Sequence, residues 1–221
     1  MVTMENLFDT KSLLQNNQFN NPSPFSYLGS DLVEWLRQIL AAHKVENSPL
    51  ILSEVPESAY ISGAVYIAKG VKVEPTAMIT GPAYIGPGSE IRHGAYIRGQ
   101  VYVGSNCVVG HATEVKGSVF LDGAKAGHFA YVGDSILGKN VNLGAGTKLA
   151  NLKLTNDEVV YQSPSSGEKI GSGLRKFGAL IGDDAQTGCN SVLSPGTILM
   201  PRTAVLPCVH YRGTLKAGIA R

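Results

Sequence analysis

The chain has 221 residues, enough for one domain with a sizeable core, and 19 Lys and Arg against 17 Asp and Glu, so no strongly basic face invites nucleic acid. Three cysteines, Cys107, Cys189 and Cys208, lack any C-x-x-C pairing, which points to free thiols in a reducing compartment. The opening "MVTMENLFDTKSLLQ" holds acids and no long apolar run, so neither a signal peptide nor a membrane span is predicted and a cytoplasmic protein is expected.

Residues 1–50 read as an N-terminal extension. Its asparagine-rich "NNQFNNPSP" reads as a linker, and "SDLVEWLRQILAAHKV" predicts a helix at about 31–44. Asp31 followed by Glu34 suggests a capping box, and Leu32, Leu36, Ile39 and Leu40 form one apolar face. A helix covering the first turn of the following structure, as a cap, is the expectation.

From residue 51 to 221 a six-residue rhythm governs the chain. Stepping by six from Val55 meets Ile61, Ile67, Val73, Ile79, Ile85, Ile91, Ile97, Val103, Val109, Val115 and Leu121, all aliphatic. The fifth place of each hexad is small or β-branched from Ala59 to Val119, and Lys125 is the exception. A short period of this kind makes each unit one rung of a stacked solenoid. The fold class expected is all-β: a parallel β-helix whose three hexads close an 18-residue triangular coil, with coils about 4.8 Å apart.

The rhythm then loses step twice. From Leu121 to Leu137 are 16 residues, four more than two hexads, and "GHFA" at 128 reads as inserted chain. Leu137, Leu143 and Leu149 resume the rhythm, as do Ile181, Thr187, Leu193, Leu199 and Val205. The polar, Ser- and Gly-rich stretch at about 152–178 between them is expected to leave the coil as a loop containing a hairpin.

Several residues stand out by position. His93 and His111 lie 18 residues apart and should stack, and His128 follows. A metal-dependent hydratase resembling the hexapeptide-repeat carbonic anhydrases is one alternative. Those enzymes place two ligand histidines five residues apart, which is not matched here, so no metal is expected. Arg98 and Lys116 should also be vertical neighbours; two stacked cations suit a phosphate between them, or a salt bridge to Glu114.

The segment "EVKGSVFLDGAKAGHFAYVGDSILGKNVNLGAGTKLAN" and the later "GLRKFGALIGDD" resemble the acetyltransferase domain of the bifunctional N-acetylglucosamine-1-phosphate uridyltransferase/glucosamine-1-phosphate acetyltransferases. The long loop is more like the archaeal-type sugar-phosphate nucleotidyltransferase/acetyltransferases. The resemblance implies a left-handed β-helix, a homotrimer with sites between subunits, acetyl-CoA as cosubstrate and an amino-sugar 1-phosphate as acceptor. It implies His128 as general base, with Glu114 orienting it and Asn151 at the reaction centre. Arg98, Lys116, Tyr131, Asn142 and Lys176 would hold the sugar phosphate, with Arg92 a rival for Arg98. Ala145, Cys189 and Pro207 would line the acetyl-CoA path. A non-catalytic partner of a separate uridyltransferase is the remaining alternative.

Overall fold

The computed structural model describes residues 1–9, 19 and 21–221, so part of the linker expected at 16–24, residues 16–18 and 20, lies outside the described residues. Residues 50–220 wind as a left-handed parallel β-helix, as expected. Each hexad contributes a short strand and a corner, and successive strands go to three sheets that form the faces of a prism. Face I runs from Leu50–Ile51 to Thr214–Leu215, face II from Lys72–Val73 to Ile219–Ala220, and face III from Tyr60–Ser62 to His210–Tyr211. In the early coils the register is 18 residues: Val65 pairs with Ala83, which pairs with Val101. The aliphatic places from Ile67 to Val115 point inward and are buried, each contributing about 1.5–3 kcal/mol of hydrophobic stabilisation as an upper bound. Corners need left-handed backbone, and Asn106 (φ 56°), Asn140 (φ 54°) and Asn190 (φ 57°) supply it at several of them.

The first break in rhythm is not an insertion. Phe120 pairs with Val103 and with Leu137, Ala126 with Val109 and Leu143, and Val132 with Val115 and Leu149. The inward series therefore runs 109, 115, 120, 126, 132, 137, 143, with two five-residue steps. Sixteen residues from Leu121 to Leu137 are three hexads less two residues, not two hexads plus four. The shortened corners lie at 116–118 and 133–135, one above the other, since Lys116 pairs with Gly133. With the frame moved by one, the small interior residues become Ser118 and Ala124, both buried, and Lys125 turns to solvent. "GHFA" stays in register: His111 pairs with His128.

The second break is a true extrusion. Ile136 pairs with Leu180, 44 residues on, and the extruded chain folds into an antiparallel hairpin of Val160–Gln162 with Lys169–Gly171. Val159, Tyr161 and Phe177 anchor its base in the core.

The N-terminal extension contains α1 (Met4–Leu7), a 3-10 turn (Pro24–Tyr27) and α2 (Gly29–Ala42). The Asp31–Glu34 capping box does not form. The N-cap is Leu28, without a side-chain hydrogen bond, and Asp31 sits inside the first turn, where its charge favours the positive end of the helix dipole. Nor does α2 cap the end of the coil. It lies along the side of the prism on face I, because that face offers an apolar surface: the rings of Tyr66, Tyr84 and Tyr102 stack at 5.2 and 5.0 Å. Trp35 packs on Tyr102 at 5.0 Å and His43 stacks on Tyr66 at 4.1 Å. Phe25 meets Tyr161 and Phe177 at the hairpin base, and Asp183 N–H donates to Leu7 O at 2.9 Å. Leu50, Ile51 and Leu52 on the first coil remain exposed.

Candidate active site

The backbone ladder at the corner between faces II and III builds a file of residues. The N–H groups of Phe129, Gly146, Asn190 and Cys208 donate to the carbonyls of His111, His128, Ala145 and Cys189 at 2.8–2.9 Å. His111, His128, Ala145, Cys189 and Pro207 thus stand one above another. The rings of His93 and His111 stack at 5.1 Å, 7° from parallel, as their spacing predicts. Both are tied down: His93 Nδ1 to Thr76 Oγ1 at 2.7 Å and His111 Nδ1 to His93 O at 2.9 Å. The stack does not continue to His128. Phe129, held in the left-handed region at φ 52°, puts its ring edge-on to His111 at 5.1 Å instead. The exposed His128 ring has no hydrogen-bond partner among the described residues. It borders a groove of about 640 Å³ on face II, lined also by Arg92, Lys125, Asn142, Ala145 and Cys189. Arg92 is held by both its Nε and Nη2 on Glu90 at 2.9 Å, whereas Lys125 has no carboxylate partner among the described residues.

The other predicted residues form a second group on face III. Arg98 donates to Glu114 at 2.6 Å, so Glu114 engages Arg98 and makes no hydrogen bond to His128, the residue it was expected to orient. Lys116 donates to Asp134 at 2.8 Å, and Asn151 Nδ2 also donates to the same Asp134 oxygen. Asn151 Oδ1 accepts from the Tyr131 hydroxyl at 3.3 Å. Each stacked cation therefore already carries its own carboxylate. Burial pushes the Tyr131 phenol up, with the Asp134 and Glu114 charges adding and Arg98 opposing. Lys176 is exposed beside this group, bridged through its backbone to Leu152, and the next residue donates from Phe177 N to Asn151 O at 2.9 Å.

Sequence reasoning thus found residues that occupy two neighbouring groups, and it passed over three that stand among them. Lys125 was hidden by the frame error, which assigned it to the interior. Asp134 and Gly133 stand in the quoted motif as "GD", and their role needed the structure: a Cβ at Gly133 would lie 2.7 Å from the Tyr131 hydroxyl and 2.8 Å from Asn151 Nδ2. No group of three or more His, Cys, Asp or Glu suited to a metal ion occurs among the described residues.

Residues 79–210, more than half of the chain, match the family described as the GMPPB C-terminal domain. The chain belongs to this family. The resemblance to the bifunctional sugar-phosphate enzymes is also borne out. The chain is 40% identical over 87 residues to the bifunctional sugar-1-phosphate nucleotidylyltransferase/acetyltransferase of Sulfurisphaera tokodaii, covering 39% of this chain and 21% of that one. It is 42% identical over 73 residues to the bifunctional protein GlmU of Methanococcus aeolicus, covering 33% of this chain and 17% of that one. The chain thus spans about a fifth of the length of these relatives. A solved hexapeptide transferase family protein from Anaplasma phagocytophilum is 18% identical, with 77% of this chain and 81% of that one covered at a TM-score of 0.40, a likeness too slight to bear on the chemistry. No helix among the described residues is long and apolar enough to cross a membrane.

Proposed function

We propose that the protein is an N-acetyltransferase that moves the acetyl group of acetyl-CoA to the amine of an amino-sugar 1-phosphate, with glucosamine 1-phosphate the first choice, in the cytoplasmic formation of UDP-N-acetylglucosamine. The observation that carries the reading is the unpartnered, exposed His128 at the foot of the Ala145, Cys189 and Pro207 file. The names of the relatives, which join a sugar-phosphate nucleotidylyltransferase to an acetyltransferase, support it.

The chemistry follows from the groups in place. The sugar ammonium must lose a proton before its nitrogen can attack the thioester carbonyl, and an imidazole with both nitrogens free of the protein can take that proton. Attack forms the C–N bond and a tetrahedral oxyanion, for which the second Nδ2 hydrogen of Asn151 is a donor. Collapse breaks the C–S bond; the coenzyme leaves as thiolate and is protonated from the imidazolium, while the nitrogen gives up its second proton to solvent and becomes the neutral amide. Arg98 and Lys116, held in place by Glu114 and Asp134, present a rigid cationic edge to the sugar phosphate, with Lys176 added from the base of the extruded loop. The His128 file and this edge lie on adjacent faces, and a homotrimer, in which a neighbouring copy closes the gap, completes the site. The full bifunctional reaction would need a uridyltransferase, in this or another chain.

The test is thiol release from acetyl-CoA in the presence of glucosamine 1-phosphate, with galactosamine 1-phosphate and the free amino sugars as comparisons. Release that requires both the amine and the phosphate supports the reading, and release with none of these acceptors sinks it.

A further inference from the structure

We propose that Asp134 is a positioning residue that sets the direction of a hydrogen-bond chain from Lys116 through Asp134 and Asn151 to Tyr131, so that the Tyr131 oxygen meets the substrate as an acceptor. The inference rests on the acetyltransferase reading for its activity arm only.

The geometry of the chain leaves one arrangement. Asp134 is only 6% exposed and offers oxygens, which accept. Lys116 supplies the counter-charge at 2.8 Å, and Asn151 approaches the same Asp134 oxygen more closely still. An amide turned the other way would press its own oxygen against the carboxylate, so its Nδ2 must face Asp134 and its Oδ1 must face Tyr131. That oxygen can only accept, and the Tyr131 hydroxyl 3.3 Å away therefore donates its proton inward. What the phenol has left to offer outward is a lone pair. A lone pair suits a donor such as the amino or hydroxyl group of an amino sugar, and does not suit a phosphate oxygen, the partner that the family resemblance implied for Tyr131.

The backbone is shaped to hold this chain. Asp134 is a non-glycine residue at φ 45°, on the second of the two five-residue corners. Its N–H donates to Lys116 O at 2.9 Å and its carbonyl accepts from Gly178 N at 2.9 Å, so both neighbouring coils clamp it. Gly117, on the corner below, leaves the space that a Cβ would take from the Asp134 carboxylate, and Gly133 leaves the space between Tyr131 and Asn151. The shortened corners and both glycines serve one side chain. A carboxylate so placed is costly without a purpose.

The variants are Asp134→Asn, Asp134→Ala and Tyr131→Phe, each followed by steady-state kinetics, thermal melting and alkaline titration of phenol absorbance. Asp134→Asn keeps the shape and loses the charge, and it should lower kcat about tenfold or more while KM for the sugar phosphate stays within about twofold. Its phenol titration should contain one tyrosine that ionises at lower pH than in the wild type. That component should be missing in the Tyr131→Phe background. Wild-type kcat together with an unchanged titration in Asp134→Asn overturns the proposal. Should the wild type acetylate no amino-sugar phosphate, the acetyltransferase reading fails and the titration alone decides the chain. Should Asp134→Ala fail to fold, the isosteric Asn variant still decides it.

Discussion

His128 stands directly above His111 on consecutive strands of face II, and of the two only His111 has its ring held by the protein, through Nδ1 to the His93 carbonyl at 2.9 Å. The difference lies next door: Phe129 occupies the place over His111 where a third imidazole would have stacked. Three histidines in a file are thereby divided into two that close a corner and one that faces the groove.

His128→Ala should therefore separate activity from stability. Loss of a general base lowers kcat by about 10²- to 10⁴-fold, while removal of an exposed, unpartnered ring shifts stability by no more than about 0.5 kcal/mol. Thiol-release kinetics beside a urea melt reads both. A variant with near wild-type kcat would remove His128 from the mechanism.

Gly133→Ala asks whether the Tyr131 and Asn151 pair must stay together. The added methyl would sit 2.7 Å from one group and 2.8 Å from the other, too close for either to remain. The expected result is a fall in kcat of about tenfold or more with the fold retained, since the backbone there suits alanine. Unchanged kcat would show that the pair is dispensable.

The three thiols should differ sharply. Burial pushes the Cys107 thiol up to about 12, whereas Cys189 and Cys208 are exposed. A chromogenic disulfide at pH 8 should titrate two thiols in the native protein and the third only after unfolding. The same shift carries a pH signature. Above the ordinary thiol value and up to about 12 the folded state keeps a proton that the unfolded chain releases, so stability falls as pH rises through that window. Cys107→Ala should flatten the slope of urea stability against pH there, and an unaltered slope would assign it to other groups.

Trp35→Ala tests the covering of face I. Trp35 touches Phe19, Tyr27 and Tyr102 at ring separations of 4.8–5.2 Å, so its removal should cost about 3–5 kcal/mol in urea unfolding. A loss under about 1 kcal/mol would mean that the extension is only loosely attached.

The fold was legible because a β-helix writes its period directly into the chain, with aliphatic residues from Ile67 to Val115 at every sixth place. The position of the first break was misread because Leu121 is aliphatic and buried, so it hid the step to Phe120. The signal was present all the same: Lys125, the one misfit among the small interior places, marks where the frame had moved. At the site, spacing alone placed His93 under His111 and Arg98 under Lys116, whereas His128, Tyr131, Asn142, Asn151 and Lys176 were singled out by the family resemblance. Neither could show which carboxylate each cation had taken, since Glu114 and Asp134 both stand within reach of the file. The capping box failed for a local reason, because a pair such as Asp31 and Glu34 is common within helices, and packing on the tyrosine ladder fixed where α2 begins.

A bare solenoid holds only nearest-neighbour contacts and can melt coil by coil from either end. The N-terminal extension changes that, because Leu7 is bonded to Asp183, while Trp35 and His43 lie against coils near residues 102 and 66. One strap thus ties early and late coils to the same segment. Fraying at one end must break contacts made with the other, which joins a one-dimensional stack into a single cooperative unit. It also means that the first residues of the chain find their final place only once coils as late as residue 183 have formed.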